Sequence, residues 1–134
     1  MAVTRTEELP VRTEHDIVLA RQAVRRLSIE ATFGLVDQTK MVTAASELAR
    51  NAVVYGGGGT VRCELLLEGA RRGLRLTFSD QGPGIADLSL AMKDGWTSGS
   101  GMGLGLSGAK RLVNDFAIDT APGKGTRVII TRWK

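Results

Sequence analysis

The chain has 134 residues, of which 43% are hydrophobic and 24% are charged. This length and composition exclude a disordered chain and two ordinary domains, so we expect residues 1–134 to form a single domain. The net charge of +4 is spread along the chain and aromatic residues make up 4%, which disfavours nucleic-acid binding.

The first half of the chain predicts one strand and two helices. A short edge strand is expected over residues 7–12, and Thr13 is expected to be the N-cap of the first helix because acidic residues follow it. Apolar residues of that helix recur on one face, at Ile17, Ala20, Val24 and Leu27. A second helix is predicted over residues 35–55, and the four glycines 56–59 end it.

The second half predicts two hairpins separated by a glycine-rich loop and a helix. Apolar and polar residues alternate over residues 61–68 and 74–78, which indicates an antiparallel hairpin. Residues 82–101 are predicted to be mostly loop, with a weak helical patch at 88–92. A third helix is predicted over residues 103–115 and a closing hairpin over 117–120 and 126–133. The expected fold is α/β, a two-layer sandwich of three main helices on one mixed, largely antiparallel sheet.

Two clusters carry acidic or amide side chains in patterns that suit a ligand. Glu47 and Asn51 lie four residues apart on the second predicted helix, so both side chains share one face among small apolar residues. Asp80 follows a strand and precedes Gly82 and Gly84, which allow a tight turn. An ionised carboxylate there would accept a hydrogen bond from an exocyclic amine.

The third cluster is the glycine-rich segment "SGSGMGLGLSG", which runs into a predicted helix. Glycines beside a helix N-terminus leave backbone N–H groups open to phosphate groups. Read from Gly103, the segment also matches the dinucleotide pattern G-x-G-x-x-G. No buried strand precedes it, however, and Lys110 is one residue too late for a Walker A loop, so both of these interpretations are excluded.

Together, and in this order, "SELARNAVVYGGGG", "DQGPGI" and "GMGLGLSGAKRLVNDF" resemble the N, G1 and G2 boxes of the GHKL ATPases. They are most similar to the serine kinases related to anti-sigma factors, and among these to the RsbT-like switch kinases of the stressosome. This resemblance covers residues 13–134. It implies a Bergerat fold that binds ATP beneath a glycine-rich lid.

The resemblance also implies roles for individual residues. Asn51 would coordinate Mg²⁺ on the ATP phosphates, and Glu47 would be the general base for a protein serine or threonine hydroxyl. Asp80 would accept a hydrogen bond from the adenine amine, supported by Thr126 directly or through water. The adenine pocket would be shaped by Gly82 and Gly84. Backbone N–H groups for the phosphates would come from Gly101, Gly103 and Gly105, and the loop would be held by Met102 and Leu104. Lys93, in the lid, is expected to be a solvated surface residue.

The single cysteine, Cys63, indicates a reducing cytoplasmic setting, no apolar run is long enough to cross a membrane, and neither a membrane nor a nucleic-acid partner is expected. The resemblance implies a Mg²⁺-ATP-dependent serine/threonine kinase. Its substrate would be a STAS-domain scaffold or antagonist in stress signalling, and the released kinase would activate a PP2C-type phosphatase. Two alternatives share the motifs: an anti-sigma factor that sequesters a sigma subunit, and a binding module switched by nucleotide without catalysis. A cluster of Arg21, Arg25 and Arg26 on the first helix is a candidate docking face for an acidic partner.

Overall fold

The protein is described by a computed structural model that covers residues 1–93 and 105–134. Five strands and four helices occur in these two ranges. In chain order they are β1 (Ala2–Val11), α1 (Glu14–Glu30), α2 (Leu35–Val54), β2 (Gly59–Glu68), β3 (Arg71–Asp80), α3 (Leu88–Ala91), α4 (Leu106–Arg111), β4 (Asp115–Thr120) and β5 (Thr126–Trp133). None of the helices in the described ranges is long and apolar enough to cross a membrane.

The five strands form one open sheet in the order β1-β2-β3-β5-β4. Every pair of neighbouring strands in the described ranges is antiparallel. The predicted α/β fold is therefore confirmed, with a sheet that is antiparallel wherever it is described. The first strand is longer than predicted, because pairing with β2 extends it to Ala2.

Helices α1 and α2 cover one face of this sheet, and the hydrophobic core lies between the two layers. The strands contribute alternating residues to it, including Val61, Leu74, Leu76 and Ile130, and the helices contribute Val24, Leu27, Met41, Ala45 and Leu48. Cys63 of β2 lies on the same face with 1% of its surface exposed. Burial raises the pKa of the Cys63 thiol to about 12.

The start of α1 confirms the prediction that Thr13 is an N-cap. The Asp16 backbone N–H donates to Thr13 Oγ1 at 3.2 Å, and the Thr13 N–H donates to Asp16 Oδ2 at 3.2 Å. Two helix-terminal N–H groups that would otherwise lack partners are satisfied reciprocally, in a capping box. The backbone N–H groups of Arg12 and, to a lesser extent, Thr13 donate to the Asp16 carboxylate and hold the pKa of Asp16 below its ordinary value.

The predicted third helix is wrong at its C-terminal end. Helix α4 ends at Arg111 and β4 already begins at Asp115, so the helix does not continue to residue 115. The Asn114 N–H donates to the Thr131 carbonyl at 2.9 Å, and Phe116 pairs with Ile130 of β5. Pairing with β5 therefore overrides the helical spacing of the apolar residues. Residues 103 and 104 of the prediction lie outside the described ranges.

Polar contacts connect the helix layer with the sheet at its periphery. Arg132 Nη2 of β5 donates to Asp37 Oδ1 of α2 at 2.6 Å. Arg26 Nη1 of α1 lies 3.1 Å from Glu7 Oε2 of β1, and hydrogen bonding to Glu7 raises the pKa of Arg26. Arg25 Nη1 donates to Gln38 Oε1 at 3.3 Å, so two of the three α1 arginines contact neighbouring elements.

Candidate functional site

A cavity of about 350 Å³ opens between α2, the ends of β3 and β5, and the loop that follows β3. Its walls are mostly apolar, with contributions from Leu48, Ala52, Phe78, Ile85, Leu106 and Val128. A few polar side chains converge on this apolar surface, among them Asn51, Asp80 and Thr126. An apolar cavity with few, well-placed polar groups is typical of a small-molecule site.

Glu47 and Asn51 lie one helical turn apart on α2, as predicted. Asn51 lines the cavity and is half-buried. Glu47 is also half-buried, and its carboxylate lies against Gly105, where α4 begins. A Cβ at Gly105 would overlap Glu47 Oε2, and the φ of 65° at this residue also favours glycine. The Glu47 carboxylate therefore lies at the start of α4, whose first residue, Leu106, lines the cavity.

Asp80 lies at the end of β3 with its side chain on the cavity wall. Its Oδ1 accepts a hydrogen bond from the Gly82 N–H at 2.9 Å. Burial raises the pKa of Asp80 above the ordinary value of 3.8, although backbone N–H groups of Gly82 and Thr126 act in the opposite direction. The carboxylate is thus a half-buried, partly desolvated hydrogen-bond acceptor on the wall of an apolar cavity.

Two glycines give the Asp80 carboxylate its space. A Cβ at Gly56 would lie 2.7 Å from Asp80 Oδ2, and a Cβ at Gly82 would lie 2.6 Å from the Cα of Gly56. The end of α2, the end of β3 and the loop after β3 therefore approach each other without side chains between them. Gly84 lines the cavity, and its φ of 74° places its missing Cβ against the Ala121 carbonyl oxygen.

Thr126 is the first residue of β5 and pairs with Asp80 of β3, so the two side chains are neighbours on the cavity wall. Its hydroxyl lies 2.9 Å from Thr120 Oγ1, at the end of β4. Thr120 Oγ1 also accepts a hydrogen bond from the Ile85 N–H at 3.0 Å and donates to the Gly125 carbonyl at 3.0 Å. Thr120 therefore joins the loop after β3 to the β4–β5 turn.

The structure brings most of the predicted site residues together. Asn51, Asp80, Gly84 and Thr126 line the cavity, while Gly82 contacts Asp80, and Glu47 and Gly105 contact each other. Gly101, Met102, Gly103 and Leu104 lie outside the described ranges, whereas Lys93 is described and exposed. The roles assigned to these residues remain predictions.

Sequence reasoning gave no individual role to several residues of the site, among them Tyr55, Gly56 and Thr120. Tyr55 and Gly56 line the cavity at the end of α2, where the sequence was interpreted as a helix end within the N box and neither residue received a role of its own. Thr120 contacts the site through Thr126, and its position depends on the register between β4 and β5. The glycine run was a usable signal for Gly56, whereas no sequence pattern pointed to Thr120.

The donor set on α2 fits a magnesium ion that is shared with a nucleotide. Mg²⁺ prefers hard oxygen ligands and is often held by one or two protein oxygens, with phosphate and water completing its shell. The Asn51 carboxamide supplies such an oxygen on the cavity wall. In residues 1–93 and 105–134, no cluster of three or more His, Cys, Asp or Glu side chains could hold a metal alone.

Residues 36–134 match the family of histidine kinase-, DNA gyrase B- and HSP90-like ATPases. This match spans most of the chain, so the protein belongs to this family, as its motifs predicted. Within the family the chain is 42% identical to the serine/threonine-protein kinase RsbT of Bacillus subtilis, over 92% of each chain. The expectation of a serine/threonine-protein kinase is confirmed by this relationship.

Two further proteins show the breadth of the similarity. The chain is 28% identical to an anti-sigma F factor of Bacillus licheniformis, over 83% of each chain. The crystal structure of the RsbU and RsbW domains of Rv1364c from Mycobacterium tuberculosis superposes with a TM-score of 0.66 at 23% identity. That superposition covers 98% of this chain and 33% of the larger one, and it supports the fold.

Proposed function

We propose that the protein uses Mg²⁺-ATP to phosphorylate a serine or threonine of a STAS-domain scaffold or antagonist protein. In this partner-switching pathway of a stress response, the released kinase activates a PP2C-type phosphatase. The observation that carries the proposal is the placement of Glu47 and Asn51 on one face of α2, beside a cavity with Asp80 on its wall. The relationship to RsbT supports the choice of substrate class.

In this proposal the cavity binds the adenine ring of ATP among its apolar side chains. Asp80 accepts a hydrogen bond from the exocyclic amine, and Gly82 and Gly84 shape the surrounding loop. Asn51 contributes an oxygen to Mg²⁺, which neutralises charge on the phosphates when bound. Backbone N–H groups for the phosphates come from Gly101, Gly103 and Gly105, and Met102 and Leu104 hold the loop.

The proposed reaction needs one general base and otherwise depends on positioning. Glu47 accepts the proton of the substrate hydroxyl while the hydroxyl oxygen forms a bond to the γ-phosphorus. The bond between that phosphorus and the bridging oxygen breaks, and ADP leaves with the electron pair. The Glu47 carboxylate is supported in this role by its place at the cavity edge, next to Gly105.

The test compares wild-type protein with Glu47→Gln, using labelled ATP and the cognate STAS protein. We expect wild-type protein to label serine or threonine, and Glu47→Gln to lose at least about 100-fold in rate, which is the usual contribution of a general base. ATP affinity should remain unchanged, because the substitution keeps the shape of the side chain. Glu68→Gln, at the exposed end of β2, is the matched control and should label at the wild-type rate.

A second candidate function is an anti-sigma factor, which the similarity to the anti-sigma F factor favours. A pull-down with this protein separates the two functions. Recovery of a STAS protein and a PP2C-type phosphatase supports the switch kinase, and recovery of a sigma subunit supports the alternative. Intact ATP and an unlabelled partner after long incubation would instead indicate a binding module that is switched by nucleotide.

A further inference from the structure

Three residues that adjoin the cavity share one hydrogen-bond network centred on Thr120. Thr120 Oγ1 lies 3.0 Å from the Ile85 backbone nitrogen, 3.0 Å from the Gly125 carbonyl oxygen and 2.9 Å from Thr126 Oγ1. The network connects the loop after β3, the β4–β5 turn and the first residue of β5. Thr120 itself is half-buried and is not among the residues that line the cavity.

The chemistry of the partners fixes the direction of each hydrogen bond. A hydroxyl has one hydrogen to donate and two lone pairs that accept. The Ile85 N–H can only donate, so it occupies one lone pair of Thr120, and the Gly125 carbonyl can only accept, so it takes the Thr120 hydrogen. With the Thr120 hydrogen on the Gly125 carbonyl, the contact with Thr126 runs from the Thr126 hydroxyl to the second lone pair of Thr120.

This direction determines what Thr126 offers to a ligand. Its single hydrogen is committed to Thr120, so only lone pairs of Thr126 Oγ1 face the cavity. The neighbouring Asp80 carboxylate, when ionised, is also an acceptor. Where two acceptors meet the 6-position of a purine, they suit an exocyclic amine, which has two hydrogens to donate, and they oppose a 6-oxo group, which can only accept.

We propose that Thr120 is a specificity-determining positioning residue that holds Thr126 as an acceptor and so favours 6-amino purine nucleotides over 6-oxo purine nucleotides. The inference rests on the proposed ATP site and adds to it a residue that does not touch the nucleotide. Removing the Thr120 hydroxyl frees the Thr126 hydrogen, which can then donate to a 6-oxo group. The preference for 6-amino over 6-oxo purine nucleotides therefore falls, although the side chains of Asp80 and Thr126 are unchanged.

The experiment measures the affinities of ATP and inosine triphosphate, with Mg²⁺, for wild-type protein and Thr120→Val by titration calorimetry. We expect the ratio of the two affinities to fall about threefold to tenfold in Thr120→Val, the range of one hydrogen bond. Thr120→Ser keeps the hydroxyl and should restore the wild-type ratio. Thr131→Val, on the opposite face of β5, is the matched control and should leave the ratio unchanged.

A second variant tests the hydrogen-bond direction even if Thr120→Val does not fold. In Thr126→Val, loss of an acceptor should weaken the binding of ATP more than the binding of inosine triphosphate, and so lower the ratio of the ATP affinity to the inosine triphosphate affinity. A higher ratio would mean that Thr126 donates into the cavity, and it would overturn the inference. An unchanged ratio in folded Thr120→Val would overturn it as well. Both results leave the ATP site standing, whereas failure of wild-type protein to bind ATP would overturn the proposed function itself.

Discussion

Asp80 combines a ligand-binding position with an unfavourable environment for its charge. Its carboxylate lies on the cavity wall, and burial is the main cause of its raised pKa. The native state therefore holds the proton more tightly than the unfolded chain, whose carboxyl titrates near the ordinary value of 3.8. Stability contributed by this group is lost as the pH rises through that range, so the ionised carboxylate destabilises the empty protein at pH 7.

Asp80→Asn should therefore raise the Tm of the nucleotide-free protein at pH 7, because it removes a desolvated charge and keeps an oxygen for the Gly82 N–H. The difference in Tm should shrink as the pH is lowered toward 3.8. ATP affinity should fall about fivefold, since a hydrogen bond to a charged acceptor is worth about 1 kcal/mol more than a hydrogen bond to a neutral one. Thermal scans across pH and calorimetry check both results, and a lower Tm at pH 7 would contradict the first.

The residues of the site differ in how far their positions could be predicted. Glu47 and Asn51 follow from helical spacing, which depends only on local sequence. The proximity of Asp80 and Thr126 depends on β3 pairing with β5. Thr120 could not be predicted, because its three partners come from a loop, a turn and a strand that meet only in the folded chain.

At the level of the elements, local signals predicted the β2–β3 hairpin and the start of α1. In both cases the interacting residues are close in sequence, so one short segment includes both partners of each interaction. The predicted boundary between α4 and β4 was wrong, because the position of Phe116 fits the period of a helix as well as that of a strand. Its strand partner, Ile130, is supplied by β5, and such non-local pairing can override a local period.

Thr13→Ala should destabilise the protein by about 1 kcal/mol, because Thr13 is the N-cap of the long helix α1. The lost hydrogen bond is the one from the Asp16 N–H to Thr13 Oγ1. Urea unfolding at pH 7 measures the change in the free energy of unfolding. Thr13→Ser retains the oxygen and should stay within about 0.5 kcal/mol of wild type; an equal loss in both variants would show that the cap contributes nothing.

At the scale of the whole molecule, charges on the helix layer divide into those that connect elements and those available to a partner. Arg26 pairs with Glu7, and Arg25 donates to Gln38. Arg21 is exposed and forms none of the ion pairs found in residues 1–93 and 105–134. Of the three arginines on the candidate docking face, Arg21 is therefore the best one to test.

Arg21→Glu should weaken binding of an acidic partner roughly fivefold or more, because an exposed ion pair is worth up to about 1 kcal/mol and reversal adds repulsion. ATP affinity should not change, since Arg21 does not line the cavity. Arg127→Glu, an exposed residue on the opposite face of the sheet, is the control. Titration of the recovered partner measures the effect, and equal affinities for wild type and Arg21→Glu would exclude this face.

The thiol of Cys63 can report how often the fold opens locally around it. It is the single cysteine of the sequence, its side chain is buried, and a pKa of about 12 keeps it almost fully protonated at neutral pH. A thiol reagent can therefore modify it only after β1 or the helix layer separates from the sheet, so its labelling rate measures how often that opening occurs. Comparing the labelling rate with and without ATP would show whether a nucleotide bound at the end of the sheet also makes this opening around Cys63 less frequent.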